Sequence, residues 1–333
     1  MSSITVQPHM ALERVLSIEI VRVTERAAVS AARLRGHGAE KAADQAAVDA
    51  MRRELNKLPI DGIVVIGEGE LDEAPMLFIG EEVGTKKGPR VDIAVDPLEG
   101  TTLCAKNMPG AIATVAMAEG GTLLHAPDVY MDKIAIGPGY PKGVVDLDAP
   151  ADENILRLAK AKGVRPDGIT ALLLDRPRHA DIIAKIRNTG AAVSLITDGD
   201  VAGVIHTAEP HSTGIDIYLG IGGAPEGVLA AAALRCIGGQ MQGRLMFEDE
   251  DQVTRAREMG VTDPKRIYSI YEMARGNVMF AATGVTGGPM LHGVRRTPGG
   301  ATTHSIVMRS KSGTVRYVEG HHNFSRKPAA FIA

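Results

Sequence analysis

From Ile169 onward the chain alternates three times between a short apolar strand and a helix, with strands at 169–174, 192–196 and 215–219. The helices open near Pro177, Asp200 and Pro225. Such a rhythm predicts parallel strands with helices packed on the sheet faces. In sheets of this kind ligands bind beyond the carboxyl ends of the strands. All three strands run into polar clusters there: Asp175-Arg176-Pro177-Arg178, Thr197-Asp198-Gly199-Asp200 and Gly220-Ile221-Gly222-Gly223-Ala224-Pro225-Glu226. The three clusters are expected to converge on one crevice.

The first half has a different pattern and reads as α+β. Leu12, Val15, Leu16, Ile20, Val23, Ala27, Ala31 and Leu34 step by three and four, which predicts a long amphipathic helix ended by Gly36. A second helix is expected over 39–56, with Asp44, Val48, Met51 and Leu55 on one face. A carboxylate on an apolar stripe needs a cation, a hydrogen-bonding cluster or a solvent-filled cleft, unless it lies at the stripe's exposed edge or caps the helix. Strands follow at 62–66 and at 90–96, the latter broken by Pro97. Segments 111–118 and 122–136 suggest a hairpin turning at Glu119-Gly120-Gly121, and a helix is expected over 152–161. Late strands are expected at 305–308 and 314–318, and no internal repeat is present. The expected organisation is a flexible tail (1–10), an α+β metal-binding domain (11–165) and an α/β substrate-binding domain carrying the C-terminal strands (166–333).

Composition narrows the function classes. Eleven aromatic residues and no Trp in 333 force the core to be built from Ala, Val, Ile, Leu and Met. A net charge of −3 is too balanced for a chain living on nucleic acid or an anionic membrane surface. The longest apolar run, 228–234, is far below the roughly 20 residues of a membrane span. The start MSSITVQPHM lacks a basic and apolar leader, so a cytoplasmic protein is expected. Cys104 and Cys236 stand far apart in the sequence and read as reduced packing residues.

There is no G-x-S-x-G, P-loop or H-E-x-x-H, and the ten histidines are scattered. Gly220-x-Gly222 has Pro225 where a dinucleotide fingerprint needs its third glycine. What remains is a set of carboxylates: Asp44, Glu68 on a glycine-flanked loop, Asp96 and Glu99 in DPLEG, and Glu226 opening a helix. Carboxylates without histidine or thiolate suit hard cations, so Mg²⁺ or Mn²⁺ is the expected cofactor. In DPLEGT, proline fixes the turn, Gly100 lets a ligand approach the backbone, and Thr101 offers a hydroxyl beside the acids. Two such metals would clamp the attacking water and leaving oxygen of a phosphoryl transfer. Arg176 and Arg178, with Lys133 further upstream, suit phosphate capture. Asp198 and Asp200 would act as further ligands or accept hydrogen bonds from sugar hydroxyls.

These residues resemble one known family, the class II fructose-1,6-bisphosphatases, the bacterial glycerol-regulon type within the lithium-sensitive phosphatase superfamily. The resemblance runs from about Glu13 to about Val318. It rests on VVIGEGELDEAPML (64–77), AVDPLEGTT (94–102), VYMDKIAIGP (129–138), LDRPRH (174–179), LITDGDVAG (195–203), GIGGAPEGVLAAAALRCIGG (220–239) and HSIVMRSKSGTVR (304–316). The resemblance implies an α/β fold, a layered α-β-α-β-α sandwich. It makes Asp44, Glu68, Asp96, Glu99 and Glu226 metal ligands and Thr101 the residue that positions the water, with Asp72 orienting Thr101. Tyr130, Arg176 and Arg178 match contacts to a substrate phosphate, Asp198, Asp200 and Gly223 match contacts to the sugar, and Glu99, Gly100, Thr101 and Lys133 complete the substrate set. The expected reaction is metal-dependent hydrolysis of the 1-phosphate of fructose 1,6-bisphosphate, in gluconeogenesis or sugar-phosphate metabolism. Sedoheptulose 1,7-bisphosphate is a second expected substrate, and a non-catalytic sugar-phosphate-binding regulator is the rival reading. The expected partner is a small-molecule sugar bisphosphate, with no nucleic acid or membrane, and a homo-oligomer, dimer or tetramer, is expected. One segment departs from the family pattern: Ala39 and Glu40 stand where relatives carry an acid followed by lysine, and lysine has moved to Lys41.

Overall fold

The computed structural model describes residues 15–69 and 76–327. In chain order, helices α1 (Leu16–Ala31) and α2 (Glu40–Leu55) precede strands β1 (Asp61–Ile66), β2 (Glu82–Val83) and β3 (Arg90–Glu99), short helix α3 (Thr101–Ala105) and strand β4 (Ile112–Glu119). Then come β5 (Tyr130–Ile136), α4 (Ala151–Lys162), β6 (Thr170–Leu174), α5 (Ala180–Asn188), β7 (Ala192–Ile196), α6 (Asp200–His206), α7 (Pro210–Thr213), β8 (Ile217–Gly223) and α8 (Ala224–Ile237). The chain finishes with β9 (Gln240–Met246), α9 (Glu250–Glu258), β10 (Ile267–Ser269), α10 (Ile270–Met273), β11 (Val278–Gly284), β12 (Arg295–Thr297), β13 (Gly300–Arg309) and β14 (Thr314–Asn323).

These elements form five layers. An eight-stranded sheet runs β12-β13-β11-β4-β3-β1-β2 with β14 beside β13, and a six-stranded sheet runs β10-β9-β5-β8-β6-β7. Alternation along β4 shows how the first sheet is held. Ala113, Val115 and Met117 face the core shared with α1 and α2, whereas Ile112, Ala116 and Ala118 face the core shared with α6, α8 and the second sheet. A third core lies outside the second sheet, under α4 and α5. The result is the expected α-β-α-β-α sandwich. Its central helix α8 is apolar nearly all round, with ten buried residues, because it is enclosed by two sheets. Both sheets draw strands from either side of residue 165.

Three expectations need correction. Segments 111–118 and 122–136 do not form a hairpin: β4 pairs with β3 and β11, while β5 pairs with β8 and β9 in the other sheet. The buried Asp92 explains the diversion, since its carboxylate accepts the N–H groups of Gly121, Thr122 and Leu123 at 2.8 to 3.1 Å and turns the chain toward the second layer. The second sheet is mixed, not parallel: β6 pairs in parallel with β7 and β8, but β5, β9 and β10 are antiparallel. Nor does Pro97 end its strand, since β3 continues to Glu99. The first helix begins at Leu16 and the expected 1–10 tail lies outside the described residues. Both cysteines are free and buried, and burial pushes their thiols up to about 11 and about 12. No helix among the described residues is long and apolar enough to cross a membrane.

His206, at the end of α6, and His322, in β14, are held neutral: burial lowers both from 6.5 to about 4. Stability that depends on neutral imidazole is present above 6.5 and is lost as pH falls toward 4. The melting temperature of His206→Gln should therefore fall less steeply than that of the parent between pH 6.5 and 4.5. Parallel melting curves for the two proteins would show that His206 carries no part of the acid sensitivity.

Candidate active site

The acids at the end of β3 meet because of a bulge. In a regular strand residues three apart point to opposite faces. Here Asp96 pairs with Thr114 and Glu99 with Ile112, so one extra residue is accommodated between them and both side chains return to the same face. Pro97 sits in that bulge, where a missing N–H costs no ladder bond. A second irregularity, between Val64 and Ile66 of β1, precedes Gly67-Glu68. A Cβ at Gly67 would lie 2.0 Å from the Leu77 carbonyl oxygen, so glycine is needed for Glu68 to turn in at this point.

Asp44, Glu68, Asp96, Glu99 and Glu226 all line one cavity of about 360 Å³, together with Gly100, Thr101, Asp128 and Asp198. Two layers contribute to it. Asp96 and Glu99 come from the first sheet, whereas Glu226 comes from the first turn of α8. Glu99 is 5% exposed and accepts the Val201 N–H at 2.7 Å, a bond that reaches from the first sheet to α6. On α2, Val48, Met51 and Leu55 are buried as the stripe requires, and Asp44 projects into the cavity's wall.

So many acids with so little counter-charge resist ionisation. Burial, then the neighbouring Asp44 and Glu226 charges, raises Glu68 to about 8. Burial followed by the Glu99 charge holds Asp96 well above the carboxylate range, and burial also raises Glu99, Glu226 and Asp44. Glu226 Oε2 is buried with no hydrogen-bond partner. An unsatisfied carboxylate oxygen is costly, which marks a position for a cation. Among the described residues no three His, Cys, Asp or Glu side chains already surround a common point at which a metal would sit. The donor chemistry and the orphaned oxygen fit a hard divalent cation, and these five residues are the ones that could hold it.

The remaining candidates form a second group. Lys133 and Asp200 do not line the cavity; they lie fully buried, with the Lys133 ammonium bonded to the Asp200 carboxylate and, at 2.8 Å, to the Gly223 carbonyl oxygen. The Tyr218 hydroxyl donates to the other Asp200 oxygen. Arg176 donates to the carbonyls of Asp175 and Thr197, at 3.0 and 2.8 Å. Arg178 donates to the Ile221 carbonyl at 2.7 and 3.2 Å and lies 4.8 Å from the ring centre of the exposed Tyr130. Asp198 belongs to the cavity wall and accepts the Gly199 N–H at 3.0 Å. Lys41 is exposed and does not line the cavity, while Glu40 is close enough for its charge to raise Asp198. Asp72 lies outside the described residues.

Three contributors escape sequence reasoning. Asp128 lines the cavity from the loop before β5. The buried His179 joins β6 to β8, bonding the Leu174 carbonyl through Nδ1 at 2.7 Å and accepting the Ile221 N–H at Nε2 at 2.8 Å. Tyr218 looks like an ordinary strand aromatic until its hydroxyl is seen on Asp200. Only the acid two residues before Tyr130 and the histidine after the arginine pair carried a signal, and neither forms a motif.

Residues 14–322 match the family described as bacterial fructose-1,6-bisphosphatase, glpX-encoded. The chain belongs to this class II bisphosphatase family. It is similar to a protein of Synechococcus sp. (strain JA-3-3Ab) named D-fructose 1,6-bisphosphatase class 2/sedoheptulose 1,7-bisphosphatase, 45% identical over 93% of this chain and 96% of the relative. A Synechococcus elongatus protein of the same name is 44% identical over 94% of this chain and 97% of its own. The chain is thus an enzyme, a class II phosphatase acting on phosphoric monoesters. Within this bisphosphatase the glycines of Gly220-x-Gly222-Gly223 make room for side chains. A Cβ at Gly222 would lie 2.0 Å from Asp200 Oδ2, and one at Gly223 would lie 1.8 Å from Glu226 Oε2.

Gly223→Ala must therefore push the Glu226 carboxylate away, although its backbone angles suit any residue. A misplacement of this size costs on the order of 100-fold in turnover. Phosphate release should fall by about that factor with little change in melting temperature; turnover within twofold of the parent would show that the position of Glu226 is not critical.

Proposed function

We propose that the enzyme hydrolyses the 1-phosphate of fructose 1,6-bisphosphate in a Mn²⁺- or Mg²⁺-dependent reaction, with sedoheptulose 1,7-bisphosphate as a second substrate. The observation that carries this reading is the clustered carboxylate set with its orphaned Glu226 oxygen, beside a separate pair of arginines. The names of the Synechococcus relatives support the two substrates.

Asp44, Glu68, Asp96, Glu99 and Glu226 would hold the cation. When bound, it supplies charge neutralisation and a lowered pKa for water. Thr101, the first residue of α3, lines the cavity directly after Gly100 in the left-handed conformation (φ 84°), which turns the chain back beside the acids. Its hydroxyl orients the attacking water, and the 99–101 backbone receives the phosphate to be cleaved. Asp198 accepts hydrogen bonds from sugar hydroxyls at the cavity wall. Arg176 and Arg178 lie outside the carboxylate cavity with their guanidinium groups pinned by carbonyls, and each keeps unused N–H donors for the distal phosphate. Tyr130 supports Arg178 from below by cation–π contact. Lys133, Asp200 and Gly223 act beneath this surface: their mutual bonds fix the strand end that presents Glu226.

Phosphate release from both bisphosphates, with and without chelation and with Mn²⁺ or Mg²⁺ restored, tests the reading. Chelation should abolish turnover, and Asp96→Ala and Glu99→Ala should fall to the chelated background while remaining folded; full activity after exhaustive chelation would refute the metal requirement. Thr101→Ala should lower kcat far more than it raises KM, because a group that orients water acts in the transition state. Unchanged kcat with raised KM would make Thr101 a binding residue.

The arginines can be separated from the reacting centre by substrate choice. A charge-assisted contact is worth about 1.5–3 kcal/mol, so Arg176→Ala or Arg178→Ala should cost about 10- to 150-fold in kcat/KM for a bisphosphate. A monoester with no second phosphate should be cleaved equally by variant and parent. Equal losses on both substrates would place the arginines at the cleaved phosphate or in folding.

A further inference from the structure

Behind the Thr197–Gly199 turn lies a second cavity, of about 330 Å³, that shares Asp198 with the first. Its volume falls in the roughly 300–1,000 Å³ range of small-molecule sites. Leu103, Met108, Leu172, Leu195, Ala202 and Ile215 give it apolar walls. Among the described residues Asp198 is the one charged group lining it, so a phosphate or carboxylate would meet repulsion and no cation from them. That carboxylate is already engaged by the Gly199 N–H and by the nearby Arg176 charge, which leaves little for a cationic ligand. His206 also lines the cavity, and burial alone, with no hydrogen bond or charge contributing, sets its neutral state. A neutral imidazole facing an apolar space is a waiting hydrogen-bond partner.

We infer that this cavity is a second ligand site, taking a small uncharged molecule with an apolar body and one hydrogen-bonding group directed at His206. The site is coupled to the first. Leu103 lies two residues after Thr101, and the Asp198-Gly199 turn leads into Val201, whose N–H is held by Glu99. A ligand packed behind this turn braces both segments, so it lowers the cost of ordering them around substrate and tightens substrate binding. The coupling rests on the bisphosphatase reading above, whereas the binding does not.

Benzyl alcohol serves as the probe, with toluene and benzoate as controls, titrated into the full chain carrying ¹³C-methyl methionine. The Met108 methyl resonance should shift saturably with benzyl alcohol, and benzoate should bind at least tenfold more weakly. His206→Leu should bring the affinity for benzyl alcohol down to that for toluene, and Ser194→Phe, which fills the cavity from the edge strand β7, should abolish the shift. If Ser194→Phe does not fold, the His206→Leu comparison decides. Saturating benzyl alcohol should also lower KM for fructose 1,6-bisphosphate at least twofold in the parent, and leave KM unchanged in Ser194→Phe. An unmoved Met108 resonance at the probe's solubility limit, or equal binding of benzoate, overturns the site. So would a loss of oligomer mass by light scattering in Ser194→Phe with no probe binding to the parent, since a second copy would then fill the cavity. Saturable binding with KM unchanged overturns the coupling alone, and binding without bisphosphate hydrolysis refutes the functional reading while leaving the site intact.

Discussion

The constraint on which this structure turns is the crowding of Asp44, Glu68, Asp96, Glu99 and Glu226 in one half-open cavity that Asp128 and Asp198 also line. Each would be cheaper as a solvated surface acid, and burial raises every one of them above its ordinary range. The fold could have relieved them with lysines or arginines. Instead the buried Lys133 is committed to Asp200 and the Gly223 carbonyl, and it reaches Glu226 only as a neighbouring charge. Carboxylates that are buried without counter-charge are held by the surrounding core, so the cost falls on the rest of the molecule. The apolar α8 and the two sheets around it supply that stability.

Glycine is the second device. The end of β8, 220–223, looks like part of a dinucleotide fingerprint, yet its residues serve side chains of this chain itself. Gly220, at φ 130°, leaves space for the His179 ring; Gly222 leaves it for Asp200 and Gly223 for Glu226. The backbone of one strand end is thereby packed directly against an imidazole and two carboxylates. The same principle that brings a pyrophosphate close to a Rossmann loop here brings the enzyme's own side chains close to the backbone.

Much of this was legible before any coordinates. DPLEG, the glycine-flanked Glu68 and the acid on the α2 stripe pointed to one carboxylate site, and the strand–helix rhythm placed Asp198 and Glu226 at strand ends. What the sequence hides is pairing. Nothing in residues 111–136 distinguishes a hairpin from two strands in different layers, because the decisive contact is made by Asp92, about thirty residues upstream. Similarly, Asp96 and Glu99 three apart suggest a turn, and only the register against β4 reveals a bulge inside a continuing strand. Lys133 shows the opposite limit. Its sequence context invites a phosphate contact, but a long basic side chain is as well suited to neutralising a buried aspartate, and in the structure it is buried against Asp200.

The division of labour between layers follows from these contacts. The end of β3 and the loop after β1 bring Asp96, Glu99 and Glu68 from the first sheet, while the turn after β7 and the first turn of α8 bring Asp198 and Glu226 from the side of the second. The apolar core between them joins both sheets through α8, and the Glu99 to Val201 bond spans the same gap at the site itself. Neither sheet alone therefore assembles the cavity. A site split in this way depends on how the two sheets dock, so that small shifts of α8 relative to β3 alter the distance between Glu226 and Asp96 directly. The glycines of the β8 end serve the second-sheet half of this arrangement. Their missing Cβ positions lie against His179, Asp200 and Glu226, so an added methyl group at Gly222 or Gly223 would be felt by a carboxylate before it was felt by the fold.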